Sequence, residues 1–371
     1  MARSGQGKRP ADRPKRQRQG ASQRQAPSAR APGSKRVQAK TSDHPDPRKH
    51  QEPVARAISR TGLLRQGRLP EKTGLVLTTR PTKDYALIDS GLGLKLERHG
   101  ATTVVRPEGQ AIWQPRLPQK NWDAADAIFT GDTDEEGMGR WAFPKRSLDE
   151  TWPTAFDGMP FLARFTSFRH VGVFPEQDAH WRHMQGLIET AKQAGRTPTV
   201  LNLFGYTGVA SLVAARAGAR VTHVDASKKA IGWARENQDF AGLADAPIRW
   251  ICEDAVRFCE REVRRENTYD IVLLDPPAFG RGPKGERWQL FEHLPHLLDL
   301  CKTLVTERSL TVVLTAYAIR ASHFAFHELM QDAFSELGGH LESGELVIED
   351  EAGDRSLSTS LFSRWQSGGG S

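Results

Sequence analysis

From about residue 180 the chain alternates two kinds of segment, and that alternation restricts its folds more than any other feature. One kind is short and wholly apolar, as in Ile271-Val-Leu-Leu274, and the other is longer and amphipathic. A strand that is apolar on both faces must be covered on both, which a parallel sheet between two helix layers achieves. Periodicity and stop signals place helices over Trp181–Ala194, Val209–Ala217, Lys228–Phe240, Ala255–Arg264, Leu290–Leu304 and His323–Leu337. They place strands over Thr199–Phe204, Arg220–Val224, Ile248–Ile251, Tyr269–Leu274, Leu310–Ala316, His340–Ile348 and Ser358–Ser363. This order predicts an α/β fold with a Rossmann-like, seven-stranded, doubly wound sheet. The last two strands have no helix between them and are expected to form an antiparallel hairpin at one edge.

The α/β domain is expected over residues 159–366, with 367–371 a flexible tail. Ahead of it, residues 71–116 read as a small β domain with strands at Gly74–Thr79, Tyr85–Ser90 and Thr102–Arg106. Residues 117–158, rich in Asp, Gly, Trp and Pro, read as a linker with one hairpin, to which Phe161–Phe165 contributes a strand. Residues 1–70 differ from all of this. They hold 18 Lys+Arg against 4 Asp+Glu and no aromatic residue, whereas the remaining 301 residues hold 34 against 41. Such a segment buries too little apolar area to offset the entropy of ordering, so a disordered basic arm is expected. It can meet RNA phosphates, serve only as a solubilising tail, or act as an organelle presequence, a reading its Pro and Gly content weakens.

No run of eighteen apolar residues is present, so no membrane partner is expected, and no apolar stretch near Met1 suggests secretion. Cys252, Cys259 and Cys301 show neither paired nor metal-type spacing, which fits a reducing cytoplasm. His170, His180 and His183 also lack a metal-site pattern and read as surface or groove histidines; no metal is expected.

Three strand ends carry groups suited to a nucleoside. In open α/β sheets ligands bind beyond the carboxyl ends of the strands. After the first strand comes Phe204-Gly-Tyr-Thr-Gly208, where Gly205 and Gly208 allow close backbone approach and Thr207 adds a hydroxyl. Asn202, on the strand itself, offers a neutral amide. After the second strand comes Asp225-Ala226, whose carboxylate can accept from vicinal ribose hydroxyls, or alternatively cap the helix at Lys228. After the third comes Asp254-Ala255, where Asp254 can accept from an adenine amino group. The loop is not Gly-x-Gly-x-x-Gly, which disfavours a nicotinamide or flavin site.

The fourth strand ends in Asp275-Pro276-Pro277-Ala278-Phe279. An exocyclic base amine is a poor nucleophile because its lone pair is delocalised. The Asp275 carboxylate and the Pro276 carbonyl can accept its N–H groups and push the nitrogen towards a tetrahedral form. The prolines stiffen the turn, and Phe279 can stack on an extruded base. The alternative is a rigid turn with Phe279 in the core. The basic loop that follows places Arg281, Lys284 and Arg287 to meet phosphates and Trp288 to stack, or is simply solvated.

These motifs resemble the S-adenosylmethionine (SAM)-dependent RNA methyltransferases related to the bacterial 23S rRNA large-subunit enzymes, which modify cytosine C5 or guanine N7. The resemblance rests on Leu201–Gly208, Val224–Ser227, Asp275–Phe279 and the approach segment Phe174-Pro-Glu-Gln177. It implies a class I methyltransferase fold, SAM as cofactor and Gln177 near it. Where that family has Asp-Gln-Arg, this chain has Asp178 in place of the Arg. A cytosine-C5 enzyme also needs a thiolate near the end of the fifth strand, where this chain has Leu314-Thr-Ala-Tyr-Ala318. The expected function is therefore methylation of a base nitrogen in RNA, with ribosomal RNA as the expected partner. Methylation of a protein or small molecule, and a non-catalytic RNA-binding protein with a vestigial site, are the alternatives.

Overall fold

In the computed structural model, residues 74–131, 138–317 and 319–368 are described. The basic arm expected over 1–70 lies outside them. Residues Glu71–Ser371 form one compact unit.

The strands of the main sheet are β1 (Leu75–Thr79), β9 (Thr199–Leu203), β10 (Arg220–Asp225), β11 (Ile248–Cys252), β12 (Ile271–Leu274), β15 (Thr311–Tyr317), β16 (His340–Glu349) and β17 (Ser356–Gln366). They lie in the order β1-β16-β17-β15-β12-β9-β10-β11. All seven expected strands are present. β17 runs antiparallel to β16, as their direct connection requires, and also to β15; the expected edge hairpin is therefore one strand in from the edge, with β1 outside β16. The chain leaves β9 towards β10 and later returns to β12 on the other side of β9. The switch point therefore falls between β9 and β12.

An eighth strand was expected elsewhere. Leu75–Thr79, assigned from sequence to the small β domain, instead pairs in parallel with β16 at the sheet edge. Its apolar pattern marks it as a strand but does not say which sheet it joins. Gly344 permits the pairing, because a Cβ there would lie 1.8 Å from the Leu75 carbonyl oxygen.

β12 shows why the sheet is covered twice. Ile271 and Leu273 pack with Trp181, Met184 and Leu212, whereas Val272 and Leu274 pack with Phe258, Leu297 and Met330. Successive side chains thus enter opposite cores, as the two-residue period demands. Each buried aliphatic contributes about 1.5–3 kcal/mol, so an apolar run without alternation stabilises the sheet only when both faces are covered. One layer contains α2 (Asp178–Gln193) and α3 (Val209–Ala217); the other contains α5 (Ala255–Arg264), α6 (Leu290–Thr303) and α7 (His323–Phe334). α4 (Lys228–Phe240) is capped by the Ser227 hydroxyl, which accepts from the Ala230 N–H.

The small β unit extends past residue 116. β2 (Tyr85–Gly91), β3 (Leu94–His99), β4 (Thr102–Pro107), β5 (Ala127–Gly131) and β6 (Gly139–Ala142) form one five-stranded sheet. The short helix α1 (Gln119–Asp123) lies before β5, so part of the expected linker belongs to this unit. β7 (Thr151–Phe156) and β8 (Met159–Arg164) make the expected hairpin, Phe161 included.

A charged cluster is buried inside this unit. Glu97, with no exposed surface, accepts from Arg106 Nε at 2.7 Å and from the Tyr85 hydroxyl at 2.9 Å. Lys95 Nζ lies 3.4 Å from Glu108. Burial alone would raise the Glu97 carboxyl, but the Arg106 guanidinium and Lys95 ammonium hold it well below the usual range. Arg106 also donates to the Arg169 carbonyl at 3.2 Å. The unit thereby grips the segment leading to Phe174 and the 3-10 turn Pro175–Gln177, where the Thr79 hydroxyl donates to the Pro175 carbonyl.

Candidate active site

The sheet register brings the predicted strand ends to one level. Leu203 pairs with Val224 on one side and with Leu274 on the other, and Leu274 pairs with Leu314. Phe204, Asp225, Asp275 and Thr315 each follow the last of these residues, so they stand in a row.

The glycine loop is built around His223. A Cβ on Gly205 would lie 2.4 Å from the His223 ring, and Gly208 has φ +83° at the start of α3. Phe204 and Tyr206 also hold positive φ angles, 57° and 51°, an uncommon conformation for aromatic residues. Asp225 stabilises this turn by accepting from the Tyr206 N–H at 2.9 Å through one oxygen and from the Ser227 N–H at 2.7 Å through the other. Ser227 is the helix cap, so the capping alternative for Asp225 does not hold. Burial pushes the Asp225 carboxyl above its ordinary range, against the two N–H donors. Each oxygen retains acceptor capacity in a fixed direction, an arrangement suited to the two hydroxyls of a ribose.

Several neighbouring residues serve the scaffold. Asp254 caps α5, accepting from the Arg257 N–H at 3.0 Å, and the Ala255 methyl packs into the core. Ala226 is half-buried, and its carbonyl accepts from the Cys252 thiol at 3.7 Å. The Asn202 amide donates to Ser211, whose hydroxyl contacts His223 Nδ1 at 2.9 Å. The Thr207 hydroxyl donates to the Gly172 carbonyl at 2.6 Å and so ties the loop to the approach segment. The amide nitrogen of Asn202 and the hydroxyl proton of Thr207, both expected to face a ligand, are thus committed to the fold. Both residues still line the cleft, with Phe204, Gly205, Tyr206, Gln177 and Asp275.

Asp275 is oriented by a residue 98 positions earlier in the chain. Gln177 Nε2 donates to Asp275 Oδ2 at 3.0 Å, and Gln177 Oε1 accepts from the Thr315 hydroxyl at 3.3 Å. Pro276 is buried and Pro277 exposed. Phe279 is 60% exposed, which removes the core alternative for its ring. Trp288 is the reverse: only 4% exposed, it donates its indole N–H to the Pro277 carbonyl at 2.7 Å and packs on Phe204. The expected stacking role of Trp288 is therefore corrected to that of a strut under the turn.

A rim of aromatic residues encloses the other side. Phe174 lies 5.3 Å from Tyr317 and 5.9 Å from Tyr206, and His170 lies 4.9 Å from Phe174. His180 was expected at a surface or groove. It is buried in the cleft lining, its two ring nitrogens have no hydrogen-bond partner among the described residues, and burial lowers its pKa to about 3. Sequence reasoning missed Thr315 and Tyr317, whose signal was polarity at the end of an otherwise apolar strand.

A family model described as Conserved hypothetical protein 95 matches residues 182–294. The ribosomal RNA large subunit methyltransferase K/L of Syntrophotalea carbinolica is 33% identical over 120 residues, which cover 32% of this chain and 15% of that protein. The protein of the same name from Shewanella frigidimarina is 39% identical over 150 residues, which cover 40% of this chain and 20% of that one. The chain thus spans a fifth or less of these curated relatives. The crystal structure of a SAM-dependent methyltransferase from Agrobacterium tumefaciens matches with a TM-score of 0.75 and 58% identity, over 80% of this chain and 97% of that one.

Proposed function

The chain belongs to the SAM-dependent methyltransferases, and on that premise we propose that it methylates a nitrogen of an RNA base, with ribosomal RNA as its target and the cytoplasm as its compartment. The observation that carries this reading is the Asp275 carboxylate, held by Gln177 at the end of β12, four residues ahead of the exposed ring of Phe279.

In this reading Asp225, with Ala226 next to it in the chain, would hold the ribose of SAM. Asp254 and Ala255 would meet the adenine, and Phe204–Gly208, Asn202 and Gln177 would hold the amino-acid portion. The Thr207 and Asn202 contacts described above keep that floor rigid. Bound SAM supplies a methyl group activated by its positive sulfur. Asp275 and the Pro276 carbonyl accept the N–H groups of the target amine, which concentrates electron density on nitrogen. Asp275 then takes the proton that the alkylated nitrogen sheds. Phe279 stacks on the base, and Pro277 with the Trp288 strut holds the turn still during alignment.

The cysteines support nitrogen over cytosine C5. Cys259 and Cys301 are buried in the core beneath the sheet. Cys252 ends β11, three strands from β12, or roughly 14 Å at the usual strand spacing. None of these thiols is near the base that Asp275 would contact.

Comparison of RNA nucleosides by mass spectrometry, with and without the gene, tests the proposal. One methylated nucleoside is expected to disappear. An unchanged spectrum in every RNA class, or methyl label found only in nuclease-resistant material, would sink it. Asp275→Asn should lower kcat by about 10²–10⁴-fold, the usual range for a positioned proton acceptor, with S-adenosylhomocysteine affinity little changed.

A further inference from the structure

The segment after the Asp275 turn is a built hairpin. β13 (Phe279–Arg281) pairs antiparallel with β14 (Arg287–Gln289). Its tip is closed by the Gly282 N–H to the Glu286 carbonyl at 2.9 Å and by the Lys284 N–H to the Glu286 carboxylate at 2.8 Å. Glu286 is also engaged by Arg257 at 3.1 Å. Trp288, opposite Gly280, is buried on the inner face. By strand alternation Phe279, Arg281, Arg287 and Gln289 then share the outer face. Arg281 and Arg287 are directly paired. Like charges opposite one another destabilise a ladder, and here they sit beside an exposed ring. Arg281, Lys284 and Arg287 are exposed; Lys284 lies in the field of the Glu286 carboxylate, which Arg257 shares, while the paired Arg281 and Arg287 face each other. Two residues beyond Gln289, Phe291 in the first turn of α6 is 66% exposed, while Leu290 beside it is buried.

We propose that this outer face and Phe291 form a docking surface for single-stranded RNA flanking the target nucleotide. Arg281, Lys284 and Arg287 bind phosphates, and Phe291 stacks on a neighbouring base. The proposal rests on the reading of Asp275 as a base-methylation site. A polyanion relieves the Arg281–Arg287 repulsion, which an apolar partner would worsen. The aromatic rings favour unpaired bases, because the π-faces of a duplex are already stacked within it. Cations interleaved with exposed rings suit a single strand in both respects.

The test uses the full-length chain and a fluorescein-labelled RNA dodecamer, either single-stranded or annealed to its complement, with binding read by anisotropy across a salt series. The single strand should bind more tightly than the duplex. Phe291→Ala should weaken single-strand binding about tenfold, the typical loss for one base–aromatic stack, and leave duplex binding unchanged. Arg281→Ala with Arg287→Ala should reduce the salt slope by about 1.4, two phosphates' worth for a single strand. The double variant should keep or raise Tm, because the repulsive pair is gone, whereas a merely structural role would lower it. Calorimetric affinity for S-adenosylhomocysteine should stay the same. Single-strand affinity unaltered in both variants, or duplex binding as tight as single-strand binding, would overturn the docking surface, even in a chain that still transfers methyl groups to RNA. Variant-sensitive single-strand binding with no methyl transfer to any RNA would support the surface and overturn the base-methylation reading instead.

Discussion

Asp225 and Asp275 occupy equivalent places at two strand ends, yet their surroundings prepare them differently. Both oxygens of Asp225 accept backbone N–H groups, so its position is fixed by the main chain. Asp275 is held by the side chain of Gln177. Asparagine at 225 would present one oxygen and one NH2 to two donors, leaving an N–H facing an N–H. Asp225→Asn should therefore loosen the glycine loop as well as the ribose contact. A loss of about 10–100-fold in S-adenosylhomocysteine affinity is expected by calorimetry, about one lost hydrogen bond to a charged group. Because burial raises the Asp225 carboxyl, acidification should weaken that affinity at a pH above the ordinary carboxylate range. Unchanged affinity in the variant would remove Asp225 from the cofactor site. Both carboxylates were legible in sequence because each closes a strand, Asp275 after the apolar Ile271–Leu274 and Asp225 after the mixed Arg220–Val224. The link from Gln177 to Thr315 was not, since 138 residues separate them and only the fold brings them together. Thr207 misled for a related reason: its hydroxyl finds Gly172, a partner 35 residues earlier.

Among the elements, β1 is the one that sequence placed wrongly. The seven strands of the α/β pattern were readable because helices separate most of them, and the crossover rules leave such a chain only a handful of topologies. β1 has no such neighbours, and its pairing with β16 depends on a feature of the other strand, the missing side chain at Gly344. Gly344→Val would drive a branched side chain into the Leu75 carbonyl. The expected result is separation of β1 from the edge, with a stability loss of about 1–3 kcal/mol in urea unfolding. Amide exchange should rise over residues 75–79 and stay unchanged in β9 and β12. Retained protection at 75–79 would show that the edge accommodates the valine. The Thr79 contact to Pro175 gives this pairing a further consequence, because the turn it anchors carries Gln177. The same variant should therefore lower kcat by loosening the orientation of Asp275.

At the scale of the whole molecule, stability should depend on pH through histidines that the fold keeps neutral. His180 and His223 are buried, and burial lowers each to about pH 3. The unfolded chain protonates them near 6.5. Below that pH the unfolded state binds protons that the folded state refuses, so stability is full above about 6.5 and falls as pH falls. Each histidine contributes a slope approaching about 1.4 kcal/mol per pH unit. Glu97, held low by Arg106 and Lys95, acts in the same direction only below its unfolded value of about 4.5. Glu176, raised by burial, opposes both: its contribution is complete below its unfolded value and is lost as pH rises through its folded value. The histidine effect is therefore read between pH 6.5 and 5.5 as a difference between wild type and a variant, in which the Glu176 contribution cancels. His180→Phe isolates it, because the ring already meets Phe362 edge-on and its nitrogens hold no partner among the described residues. Urea unfolding of the ligand-free chain at pH 7.5, 6.5 and 5.5 should show a pH slope shallower than wild type by roughly one proton. An identical slope in the two proteins would mean that His180 takes up its proton while folded, and the cleft would then carry a positive charge where this structure places a neutral ring.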